Sequence, residues 1–167
     1  MSEATTASEE YLKTLLDYYE AEVMGEAYFS ALADLAGDPI EKEKLALLAA
    51  VESHAAAAVV PLLQKHGLTP RSEAELKATG KTHVERHEDY DWMALVDYML
   101  FRYPGYVDDF NNLERMAPKA DLPELEFLTL HEVVAIDFAN MEKAGDPDSQ
   151  APLHRYLSQN AATAGSS

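Results

Sequence analysis

Cysteine is absent from the 167 residues, which excludes disulfides, thiolate-held metals and a cysteine nucleophile. Basic residues are scarce: 13 Lys and Arg stand against 30 Asp and Glu, a formal charge of −17. Nucleic acid is therefore not an expected partner, because phosphate binding needs a basic surface. An anionic membrane is not expected either. Most of this acid is expected to serve solubility. Long apolar runs are missing; Ala55 to Leu63 is far shorter than a membrane span requires. Met1 to Glu10 has neither a basic nor an apolar region, so no secretory leader is expected there, and the expected location is cytoplasmic. Also missing are a Gly-rich phosphate loop, a Gly-x-Ser-x-Gly elbow and a His-Glu-x-x-His zinc motif, since Val84 follows His83. No stretch alternates with period two for long enough to propose a strand.

What the chain does have is helix. Apolar residues make up 47 % of it, enough for one domain with a real core. Ser8 ahead of Glu9 and Glu10 opens a first helix that ends near Gly37-Asp38-Pro39. Asp38 with Pro39 starts a second, which Gly67 stops and Pro61 is expected to kink. Residues 68–90 read as a long polar connection. A third helix runs from Asp91 to Met116, with Pro104-Gly105 expected to bend or split it, and a fourth from Pro123 to Ala144. A short helix over Pro152 to Gln159 follows. The predicted organisation is a flexible N-terminus (1–8), one helical bundle (9–159) and a disordered tail (160–167).

Two segments far apart in the chain carry one pattern at steps of three, four and three: Leu45, Leu48, Glu52, Ala55 and Leu125, Leu128, Glu132, Ala135. Those steps trace one stripe of a helix. A carboxylate in a leucine stripe costs several kcal/mol to bury unless a cation or metal pairs with it. The first helix adds Leu12, Leu15, Tyr19, Glu22, Glu26, Phe29, with two glutamates one turn apart. Together these helices would aim up to four carboxylates at the bundle centre, where hard cations such as iron or manganese are held. The third helix has Trp92, Val96, Met99, Tyr103, Tyr106, Phe110 on its seam and no carboxylate. Tyr103 and Tyr106 fall about level with the first-helix glutamates, as hydrogen-bonding or electron-transfer neighbours or as core residues with a wet tip.

The histidines offer less. His54 lies two residues past Glu52, about 200° around the helix, so both cannot point inward. His131 adjoins Glu132 at about 100° and is the more plausible ligand. His83 and His87, at i and i+4 with Glu88 and Asp89 after them, would suit a divalent metal only if that polar stretch were helical.

The segments YEAEVMGEAYF (Tyr19 to Phe29), LLAAVESH (ending at His54) and FLTLHEVVAIDF (ending at Phe138) resemble the ferritin-like, rubrerythrin-type di-iron superfamily. That resemblance implies an all-α, four-helix bundle of two hairpins joined by a long crossover, followed here by the short C-terminal helix. The family's metal set is a lone Glu on each of two helices plus Glu-x-x-His on the other two. Carried over, Glu22 or Glu26 matches the first-helix ligand, and Glu52 and Glu132 match the glutamates of the paired motifs. Ala55 and Ala135 stand where the two histidines fall, and the third-helix glutamate is missing. The resemblance implies a metal-binding protein with iron or manganese, an oxidoreductase of unnamed small-molecule substrate, and pairing as a homodimer. Its site would comprise Glu22, Glu26, Glu52, Glu132 and His131, with Tyr103, Tyr106 and His54 around it. A metal-free bundle that binds a small ligand or another protein is the alternative, with an aromatic-lined pocket near Tyr103, Tyr106 and Phe110 opened by the bend at Pro104-Gly105.

Overall fold

The computed structural model describes residues 6–87 and 91–164. Among these residues there is no strand, and the fold is built from α-helices with two short 3-10 turns. Local chemistry sets the boundaries. Helix α1 (Glu9–Leu35) starts at Ser8, whose Oγ accepts from the Tyr11 N–H at 3.1 Å, with Glu9 and Glu10 in the positive first turn. Helix α2 (Pro39–Lys65) starts at Asp38, which accepts from Ile40 N at 2.7 Å and Glu41 N at 3.2 Å. It ends at Gly67, whose φ of 65° lets Leu68 N–H close back on Leu63 O. Gly145, with φ 70°, ends α5 (Leu122–Lys143) in the same way through Asp146 N–H and Met141 O.

The polar stretch read as a connection contains α3 (Glu73–Thr82), capped by Ser72, and then a 3-10 turn over His83–His87. Only Leu76 and Gly80 of α3 are buried, so its apolar stripe is one residue wide and carries almost no periodic signal. Because His83–His87 is 3-10 rather than α-helical, the premise of an i, i+4 metal pair fails; Glu88 and Asp89 lie outside the described residues. Helix α4 (Trp92–Met116) is not split: it continues through Pro104 and Gly105. Both are exposed, where water can satisfy a carbonyl freed by proline, and the core residues Met99, Tyr103, Phe110 and Leu113 hold the helix on either side. Helix α2 likewise runs on past the exposed Pro61. By length and composition α2 is apolar enough to cross a membrane, contrary to the reading from Ala55 to Leu63 alone. In this fold Leu45, Leu48, Val51, Val59 and Leu62 turn that apolarity into the core. Helices α6 (Ala151–Leu157) and α7 (Ala161–Ala164) complete the chain, α7 lying in the stretch read as a disordered tail. Residues 1–5 and 165–167 of the two expected flexible ends lie outside the described residues.

Helix α1 packs along α2, and α4 along α5; α2 against α5 joins the two pairs, while α3 crosses α1 and α6 folds back on α5 and α2. One continuous apolar cluster runs through them, from Tyr11 and Leu15 through Leu45, Leu48 and Met99 to Leu128, Phe138 and Tyr156. Its ends are closed by buried carboxylates with full sets of donors. Asp121 accepts from Tyr11 Oη at 2.7 Å, Lys65 Nζ at 2.5 Å and His66 Nε2 at 2.7 Å. Glu142 accepts from Trp92 Nε1 at 2.8 Å, Ser149 Oγ at 2.5 Å and Lys44 Nζ at 2.7 Å.

Gly80 permits the closest approach, since a Cβ there would lie 2.2 Å from the Met24 carbonyl oxygen. Gly to Ala inside a helix ordinarily stabilises by about 1 kcal/mol. Here Gly80→Ala is expected to destabilise by about 1–3 kcal/mol, because backbone must move to admit the methyl. Urea unfolding measures this; a gain in stability would show that α3 does not sit on α1 as described.

Candidate metal centre

Midway between those closed ends, α1, α2 and α5 bring Glu22, Glu52, His131 and Glu132 together. His131 is 1 % exposed, and Glu22 and Glu132 are 4 and 5 % exposed. The imidazole Nδ1 donates to the Leu128 carbonyl, which fixes that nitrogen as N–H and aims Nε2 at the carboxylates. Nε2 lies 2.9 Å from Glu22 Oε2, 3.1 Å from Glu132 Oε1 and 3.4 Å from Glu52 Oε2. These are charge contacts without hydrogen-bond alignment: His131 Nε2, Glu22 Oε2 and Glu132 Oε2 have no hydrogen-bond partner. Gly25 makes room for the group, since a Cβ there would meet Glu52 Cδ at 3.0 Å. The Phe110 ring packs edge-on to His131 at 5.4 Å.

The electrostatics follow from burial. Desolvation, then the Glu22 charge, raises the Glu52 carboxyl well above its ordinary value. Desolvation raises Glu132 too, although His131 pulls the other way. Burial alone would lower His131, but the charges of Glu22 and Glu132 outweigh it and hold the imidazole well above its usual range. Tyr103 is raised by burial and then by Glu132 and Glu52, so it remains a neutral phenol beside the group. The cluster thus demands positive charge, which protons or a metal ion can supply.

The donor set suits a hard divalent cation. Ligand atoms bonded at about 2.1 Å to one ion stand roughly 3.0 Å apart in an octahedron and roughly 3.4 Å apart in a tetrahedron. The contacts around Nε2 span that range, and one ligand atom each from Glu22, Glu52 and His131 lies within 4.8 Å of the others. The Nδ1–H to carbonyl bond is the usual outer contact of a ligating histidine.

Of the residues the sequence singled out, Glu22, Glu52, Glu132 and His131 converge, and Tyr103 lies against them. Glu26 does not join: half-buried, it acts on Lys77 of α3, and Gly25 takes the place on α1 that faces Glu52. His54 faces away, its Nε2 donating to Gln159 O at 2.6 Å and its ring edge-on to Phe127 and Tyr156. Tyr106 stands farther out, against Tyr103 at 5.4 Å between ring centres. Gly25 was missed, although a glycine between two candidate ligands inside a long helix is itself a signal of close approach. A cavity of about 410 Å³ opens from the cluster between α1 and α4. Phe29, Tyr103 and Phe110 line its buried part, Tyr28 and Tyr106 its middle, and Arg102 and Asp109 its exposed rim.

Comparison with known proteins found no match among family models, curated proteins or solved structures.

In metal-free buffer the raised groups set the pH dependence of stability. The contribution of Glu52 and Glu132 is complete below the ordinary carboxylate value of 4.5 and is lost as pH rises through their raised values. That of His131 is complete below 6.5 and lost as pH rises further. Asp121 and Glu142, both held low by their donors, act oppositely and weaken the fold only in stronger acid. Thermal unfolding of chelator-treated protein should therefore show its highest midpoint at mildly acidic pH and a fall toward alkaline pH. A midpoint that rises toward alkaline pH contradicts the buried cluster.

Proposed function

We propose that this chain is a ferritin-like metal-binding bundle in which Glu22, Glu52, Glu132 and His131 hold one iron or manganese ion, and that it serves as a non-haem oxidoreductase. The observation that carries the reading is the buried His131 Nε2, unpartnered yet within 3.4 Å of three carboxylate oxygens. Two helical pairs joined by a long connection support the ferritin-like arrangement. Oxygen donors with one imidazole favour iron or manganese over softer metals. When bound, such an ion supplies one-electron chemistry and Lewis acidity at positions the protein leaves open. The chain's own contribution is to orient the ligands, exclude bulk water and keep a neutral phenol at Tyr103 next to Glu132 and Glu52. A metal-free ligand-binding bundle is the second reading, favoured by the buried Ala55 and Ala135 at the expected histidine positions and by the aromatic cavity.

Metal content by plasma mass spectrometry, after growth with added iron and manganese, is expected to give one ion per chain. His131→Ala, Glu52→Ala and Glu132→Ala should each cut affinity on the order of 100-fold. Gly25→Ala, which touches no metal, should also weaken binding because its methyl displaces Glu52. Replacing Glu52 or Glu132 with leucine, apolar and of similar volume, should meanwhile raise the melting temperature of the metal-free protein. A wild-type protein that refuses iron, manganese and zinc, or variants that keep full affinity, would sink the assignment.

A further inference from the structure

The cavity between α1 and α4 combines two features that metal binding does not require. Its walls are aromatic, with Tyr28, Phe29, Tyr103, Tyr106 and Phe110 among them, and its floor is Glu22, Glu52 and Glu132. Behind that floor the His131 imidazole is the cationic neighbour, shared among all three carboxylates at 2.9–3.4 Å, and Glu132 Oε2 is buried with no hydrogen-bond partner. We infer that this cavity binds a small organic cation, an amine or quaternary ammonium whose charged head sits between the aromatic faces and above the carboxylate floor.

Ring faces attract cations through their quadrupole, most strongly where water is excluded. The chain already does this to itself: the Arg102 guanidinium lies over the Tyr106 ring, 5.7 Å from its centre, at the exposed end of the cavity. A neutral hydrocarbon would leave three desolvated floor carboxylates with the single His131 imidazole to share among them. An anion would meet those carboxylates and Asp109 with only Arg102 as a permanent counter-charge in the lining. A cation satisfies both walls and floor. The formal charge of −17 also draws cations toward the protein. At about 410 Å³ the cavity is in the range of small-molecule sites. The inference goes beyond the metal reading and does not depend on it, since a bound divalent ion would neutralise part of the floor and weaken the organic cation without touching the walls.

The test is calorimetric titration of the full, chelator-treated chain near neutral pH with benzyltrimethylammonium, benzyl alcohol and benzoate. The quaternary cation should bind at least about tenfold more tightly than either of the others. Tyr106→Leu and Glu132→Gln should weaken it. Arg102→Gln, at an exposed position on the rim, should tighten it about two- to fivefold by removing a like charge at the mouth. Benzoate as the preferred ligand, weakened by Arg102→Gln, would overturn the inference and mark an anion site. Equal affinities, or no binding of any of the three, would overturn it as well. Saturating manganese should weaken the cation in wild type. A chain that takes up no manganese yet binds the cation refutes the metal reading alone, and one that takes up manganese but ignores the cation refutes this inference alone.

Discussion

Three carboxylates and one imidazole share a volume from which the packing of α1, α2, α4 and α5 largely excludes water, and the rest of the molecule is arranged around that charge. A buried anion is tolerated only when donors or cations surround it. The fold obeys this rule at both of its ends. Asp121 takes three donors from the ends of α1 and α2, and Glu142 takes three from α2, α4 and the turn after α5. Both carboxyls are held below their ordinary range despite burial. At the centre the rule is broken: Glu52 and Glu132 are pushed up, and oxygens of Glu22 and Glu132 have no aligned donor, only the charge contact of one shared imidazole.

The contrast matters because it lies within one chain. A sequence able to supply Lys, Tyr, Trp, Ser and His to two buried carboxylates supplies a single imidazole to three others. That imidazole is anchored by Leu128 so that its remaining nitrogen faces them. Buried polar groups left short of partners cost stability and are kept where they act. The satisfied clamps keep the helix ends in place, which lets the middle hold an unsatisfied group and a cavity beside it. Gly25 and Gly80 serve the same end: one leaves space for the Glu52 carboxyl, and the other lets α3 lie directly on the backbone of α1.

Much of this was legible in the sequence, and the parts that were not have physical reasons. The stripe of Leu45, Leu48 and Glu52 and its counterpart at Leu125, Leu128 and Glu132 correctly placed two carboxylates on core-facing seams, because helical periodicity is strong over long segments. Caps and stops at Ser8, Asp38, Gly67 and Gly145 also read true, since each is local chemistry. Choosing between Glu22 and Glu26 was beyond the periodic pattern: both lie one turn apart on the same broad face, and the choice is made by the approach of α2 at Gly25. His131 looked marginal at about 100° from Glu132 on a helical wheel. A long side chain leaning back toward its helix N-terminus closes that gap, as the bond from Nδ1 to the Leu128 carbonyl records. A split at Pro104 was over-read: α4 continues through it on an exposed face, where a lost backbone bond costs least. The aromatic pocket expected near Tyr103, Tyr106 and Phe110 is present, lined by those three rings, but its α1 wall had no linear signature, because α1 and α4 meet there only in space.

Whether a metal ion or protons meet the central charge decides what this bundle can do. Crystals grown with manganese and measured for anomalous scattering locate that ion directly. One anomalous peak per chain is expected, bonded to His131 Nε2 and to oxygens of Glu22, Glu52 and Glu132. A cluster without a peak, with the only manganese on surface carboxylates, would contradict it and leave protons as the counter-charge.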